Sequence, residues 1–303
     1  MPNDRKRPGV RDVGAMSARA IGAWFEHSAP RHGAAIAYYA LFAMAPTLLV
    51  VIAVAGLVFG REAARGEVVA QLSGVLGESA ADAVQEILRR ARTPREGIVA
   101  SALGVVGLLF AATGVFMELE AALNKVWHVR RTSSGFGLAV MVRRRLRSLG
   151  IVAGIGFLLL LSLIVSGALN VIAPYFDALT PGWLDVVTVA NHLVSWLVTA
   201  ALFALLYRFL PEVQLSWNDV AVGALATALL FGIGQRLIGM YLGRSALASP
   251  FGAAGTIAVL MAWVYYSSMI VLLGAEFTRE YVLWRGREPE AKPGAIRVAG
   301  HAA

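Results

Sequence analysis

Long apolar stretches separated by short polar or basic segments set the pattern of this chain. Six of them carry no charge or almost none: Gly33–Gly60, Ile98–Met117, Ser148–Ala173, Val186–Tyr207, Val220–Gly243 and Phe251–Ala275. A helix rises about 1.5 Å per residue, so a hydrocarbon layer of about 30 Å needs roughly 20 apolar residues. Each stretch reaches that length, and such runs are the strongest signal a single sequence holds for a spanning helix. The first contains Pro46, which kinks or loosens a helix, and the fifth is interrupted only by Arg236. With their ends included, the expected spans are 33–60, 98–122, 148–173, 186–208, 220–243 and 251–277.

The segments between the spans add detail. Residues 1–32 form a basic tail, expected to be cytoplasmic, with an interfacial helix near Met16–His27. Residues 61–97 place Val68, Val69, Leu72, Val75 and Leu76, then Ala83, Val84, Ile87 and Leu88, at helical spacing. Two short amphipathic helices capping the outer face follow from that spacing. The fold class expected is therefore all-α: a polytopic membrane bundle of six transmembrane helices with a short amphipathic extracytoplasmic cap. The membrane domain covers 33–280, and 281–303 are expected as a disordered cytoplasmic tail. The pairs Gly56/Gly60, Gly150/Gly154 and Gly239/Gly243 have the spacing that lets helix backbones approach.

Composition agrees. The chain has 303 residues, 58% hydrophobic and only 15% charged, outside the range of soluble domains. It has no cysteine, so disulfides and thiolate metal sites are excluded. The net charge of +8 is distributed asymmetrically: with the N-terminus inside, nineteen Lys and Arg fall in cytoplasmic segments and seven in outer ones. The positive-inside rule then puts both termini in the cytoplasm.

Several motifs carry a resemblance. The first span holds Ala37-Tyr38-Tyr39-Ala40-Leu41-Phe42 with Pro46 beyond, and the second ends Phe116, Leu119, Ala121-Ala122-Leu123-Asn124, Val126-Trp127. Tyr207-Arg208-Phe209-Leu210-Pro211, Trp217 and Gly223-Ala224 follow, then Gly252, Gly255-Thr256, Trp263-Val264-Tyr265-Tyr266 and Gly274-Ala275-Glu276-Phe277. In this order they make residues 20–285 resemble the BrkB/YihY family of bacterial inner-membrane proteins, historically mislabelled ribonuclease BN. The resemblance implies six spans and the bacterial inner membrane. It implies no established biochemical activity, although members have been linked to serum resistance and to moving envelope lipids.

Polar groups inside a bilayer are costly, so each one invites a functional reading. Counting along the helices puts Tyr38, Tyr39, Glu118, Glu120, Asn124, Arg145 and Glu276 near the inner interface, where geometry allows them to form one cluster. Two readings stand for it: an aromatic belt with ion pairs closing the cytoplasmic end, or a site that binds or gates a substrate. Arg236 falls in the outer third of its span, where it either snorkels outward or meets an anionic lipid headgroup. Tyr265, Met269, Leu272 and Glu276 lie on one face of the sixth helix, expected to look into the bundle. His192, near the outer end of the fourth, reads as a hydrogen-bonded packing residue.

No catalytic or metal-binding residue is expected. The five histidines have no zinc-ligand spacing, and no phosphate-binding GxxxxGK[ST] loop is present. No cofactor and no nucleic-acid partner are expected; the partners are membrane lipids with anionic headgroups, and the chain itself or an envelope protein. The function expected is a non-enzymatic transporter or flippase of envelope lipids or another amphipathic anion. The alternatives are an envelope scaffold and, last, a ribonuclease.

Overall fold

The computed structural model describes residues 9–43, 114–132, 183–244 and 253–298. Pro46, the insert 61–97, the third span, Arg145 and the first part of the second span lie outside the described residues. The described chain is mostly helical. Helix α1 is Val10–Glu26, α2 is helical over 29–43, α3 over 114–126, α4 is Trp183–Phe209, α5 is Trp217–Arg244 and α6 is Ala253–Trp284. Two short strands, β1 (Val129–Arg131) and β2 (Ala295–Arg297), complete it.

Among the described residues, three helices are long and apolar enough to cross a membrane, with stretches at Val187–Phe209, Trp217–Ile238 and Ile257–Trp284. The parent helices of 27, 28 and 32 residues each exceed the roughly 20 needed to cross hydrocarbon. Leu229, Ile233, Leu237 and Met240 of α5 recur at helical spacing, and all are exposed. Such a stripe is what a lipid-facing surface requires and what water would oppose.

The helix boundaries have local causes. Asp12 in the first turn of α1 accepts the Gly9 N–H at 3.0 Å and opposes the helix dipole. Ser28 turns the chain in a left-handed conformation (φ 61°), and Pro30 sits in the first turn of α2. Pro211 follows α4, and Ser216 caps α5, its N–H donating to Asp219 Oδ2 at 2.9 Å. At the end of α6, Gly286 (φ 69°) closes a Schellman motif: its N–H reaches Leu283 O, and the Arg287 N–H reaches Val282 O.

The chain divides into two compact units. The first holds Met1–His27, Ala122–Gly232 and Val271–Ala303. There α1 buries the stripe Met16, Ala20 and leaves Ile21 and Phe25 exposed. Where α4, α5 and α6 meet, Tyr207 donates its hydroxyl to Val271 O at 2.7 Å and lies 3.1 Å from Thr227 Oγ1. Gly223 and Gly274 make this approach feasible. A Cβ on Gly223 would overlap Thr278, and one on Gly274 would overlap Thr227 and Tyr207. Close contacts thus fall at Gly223 and Gly274, both from the quoted motifs; the spaced pairs 56/60 and 150/154 lie outside the described residues.

The second unit holds Ser28–Ala121 and Ile233–Ile270. Gly33 of α2 faces Tyr265 and Met269 of α6, and Gly234 of α5 faces Tyr266 and Ile270. Tyr265 and Met269 thus point into the bundle, as the spacing on α6 predicts.

Two expectations need correction. The fold is not purely helical: β1 and β2 pair antiparallel, with Val129 opposite Arg297, Arg130 opposite Ile296 and Arg131 opposite Ala295. His128, in a left-handed conformation (φ 50°), ends the helical run and releases the following residues into an extended strand. Nor is the C-terminal tail disordered over 285–298. Arg287 reaches buried Asp219 at 2.5 Å, Lys292 Nζ donates to Pro211 O at 2.6 Å, and the Gln214 N–H donates to Glu290 O at 2.8 Å. These contacts hold a segment whose own composition contains little to fold it. The sixth helix also runs past Glu276 to Trp284, because Glu276, Thr278, Glu280 and Val282 are buried.

Candidate functional site

The site is built on the C-terminal part of α6. Glu276 lies about 28 Å along the helix from Ile257, and its side chain is 1% exposed. Its Oε1 is 2.6 Å from His27 Nδ1, the histidine immediately after α1. The edge of the His128 ring meets the His27 ring at a centroid distance of 4.9 Å. One turn on, Glu280 takes Arg19 at 2.7 Å and Arg279 at 3.2 Å. Glu276 Oε2 is sealed from solvent and has no donor among the described residues. Burial, with Arg279, His27 and Arg297 nearby, pushes the His128 imidazole below its usual range, because each opposes a second positive charge.

Two further buried acids stabilise the surroundings. Asp219 is fully buried and accepts from Ser216 N–H and Oγ, with Arg287 at 2.5 Å and Arg285 at 3.6 Å. Glu212 is 4% exposed and lies 3.1 Å from Arg131. Removing a charged partner from such pairs is strongly destabilising, since the remaining charge stays buried.

The other expected site residues among those described have partners or surroundings of their own. Glu118 pairs with His32 Nδ1 at 2.6 Å in the second unit. Asn124 Oδ1 accepts the Glu212 N–H at 2.7 Å. Glu120 is buried, while Tyr38 and Tyr39 are exposed with their rings in edge contact. Tyr265 packs on Gly33, and Arg236 is exposed on α5 among the apolar residues Ile233, Leu237 and Met240. Glu118, Asn124 and Glu276 thus take three different partners.

Sequence reasoning missed His27 and His32 as partners of Glu276 and Glu118, and His128 beside His27. Glu276 lies 249 residues from its partner, so no local spacing reveals it. One signal was present: His27 continues the helical stripe of Met16 and Ala20 that α1 buries. Among the described residues no group of three His, Cys, Asp or Glu is arranged to hold a metal.

Long apolar helices with exposed faces, and buried carboxylates paired with basic side chains, define a helical membrane protein. The match to known families is equally plain: the Virulence factor BrkB family matches residues 20–297, and the chain belongs to that family. It is similar to a UPF0761 membrane protein of Rhodospirillum centenum, 28% identical over 94% of this chain and 63% of the relative. A UPF0761 membrane protein of Pseudomonas paraeruginosa is 27% identical over 89% of this chain and 65% of its own length. One from Ralstonia nicotianae is 32% identical over 58% of this chain and 38% of its length. The chain thus spans less than two thirds of these relatives. No solved structure gives a significant match.

Proposed function

We propose that this chain is a six-span protein of the bacterial inner membrane, with both termini cytoplasmic, that moves an amphipathic anion such as an envelope lipid between leaflets. The observation that carries the reading is Glu276, a carboxylate on an apolar membrane-type helix, turned away from lipid and buried beside His27. Ionisable groups at such positions are retained where a substrate or an ion must be handled. Arg236 supports the nature of the cargo. Its exposed guanidinium lies within an apolar, lipid-facing stripe, where it suits a phosphate headgroup.

The test is reconstitution in liposomes containing fluorescent phosphatidylglycerol, with a membrane-impermeant quencher reporting the outer leaflet. Protein-containing vesicles are expected to expose the inner-leaflet probe, and Glu276→Gln and Arg236→Ala to slow this about tenfold or more. Equal rates in empty and protein-containing vesicles would overturn the reading and favour a scaffold.

A further inference from the structure

The surroundings of Glu276 are unusual for a structural ion pair. Oε1 has its imidazole partner, yet Oε2 is equally buried and has none among the described residues. Among the described residues it is the only oxygen of the buried side-chain atoms without a partner; the others are nitrogens of His32, Trp196, Arg208 and Trp263. An ionised carboxylate oxygen in that position is unfavourable, and the smallest species that relieves it is a proton.

The charged groups around the pair leave that role open. On α6, Arg279 directs its guanidinium to Glu280, and Arg19 of α1 does the same. His128 approaches from the turn after α3, and Arg297 of β2 acts on His128. The direct partner of Glu276 is therefore an imidazole, which can accept a proton on one ring nitrogen and give one from the other, as a guanidinium cannot. Exposure also falls in steps, from half-buried His128, through His27 at 13%, to Glu276 at 1%. A structural ion pair needs no such gradient; a proton path does.

We infer that His128, His27 and Glu276 form a proton path ending on a proton-binding carboxylate, and that one proton is bound and released there for each anionic cargo moved. In the loading step His128 takes a proton from solvent and passes it to His27, and the His27 Nδ1–H bond breaks as an O–H bond forms on Glu276 Oε1, so that His27 ends with the charge it began with. The carboxylate goes from −1 to neutral, and release reverses each transfer. This inference rests on the transport reading and adds its driving force.

The test uses the full chain in liposomes holding fluorescent phosphatidylglycerol and a pH-reporting dye. One proton per cycle makes the rate follow proton activity, so a gradient of about one pH unit should change probe movement up to about tenfold. The lumenal pH should move with it. Glu276→Gln and His27→Gln should lose this response, while His192→Gln, whose Nδ1 bonds locally to Thr188 O, should keep it. Probe movement that ignores the gradient in the unsubstituted protein would overturn the inference and leave the transport reading standing. No probe movement under any condition would remove both. Infrared difference spectra between about pH 8 and pH 5 provide a readout independent of transport, in the range where imidazoles titrate. They should show a protonated-carboxyl band that Glu276→Gln abolishes; a spectrum without that band overturns the proposal.

Discussion

Two histidine–carboxylate pairs flank the joint between α1 and α2, and they differ in a way that separates structure from function. Both have the same short separation, 2.6 Å. In the first unit His27 holds a carboxylate that is 1% exposed, beside glycine contacts that admit no Cβ. In the second, His32 holds Glu118, which is 27% exposed, and the nearby Tyr39 is itself half free. Identical chemistry therefore sits in two dielectric settings. Where water reaches the carboxylate, the pair is a modest tether. Where it does not, every change of charge is felt by the fold.

The contrast can be broken most forcefully at the glycines. Gly223→Val would drive a side chain into Thr278, including its backbone, and the protein should fail to fold or lose about 3 kcal/mol or more, read as lost monodispersity in detergent. His27→Leu comes next: it leaves Glu276 buried without a partner and should cost about 3 kcal/mol by thermal unfolding in detergent. His32→Leu, the matched change, should cost only about 1 kcal/mol because Glu118 recovers water. An equal loss at the two histidines would erase the distinction. Gly114→Ala should cost less than about 1 kcal/mol, since the Tyr39 ring it meets is exposed and can swing away.

A pH effect sharpens the same comparison. The His128 pKa is lowered in the fold from its ordinary 6.5. Below pH 6.5 the unfolded chain therefore binds the proton first, and stability declines as pH falls toward the folded value. Above pH 6.5 both states are neutral and the contribution is complete. His128→Asn should flatten the acid side of the stability profile, measured as melting temperature against pH. An unchanged slope would assign it to other groups.

Much of the architecture was legible in the residues. The fourth and fifth spans lie within α4 and α5, and the sixth begins close to the start of α6 but stops short of its end, because hydrocarbon selects length and apolarity over any partner. The face of α6 that looks inward was legible too, from the spacing of Tyr265, Met269, Leu272 and Glu276. The site was only half legible. Glu276 stood out as a carboxylate beside an apolar run, yet its partner did not, because nothing local links the end of α1 to the end of α6. Asp219 and Glu212 were overlooked for the same reason: their arginines come from the tail and from β1.

The chain's own composition decided that these helices belong in a membrane, where each one forms, and which family the protein resembles. All of that follows from transfer free energies and short-range helical periodicity, which act residue by residue. Only the tertiary structure decided which carboxylates are buried and with whom, that the tail folds, and that α6 continues to Trp284. Those outcomes depend on pairing charges far apart in the chain, from 68 residues for Asp219 and Arg287 to 249 for His27 and Glu276, and the strength of such pairing is set by the dielectric that the assembled fold creates around them.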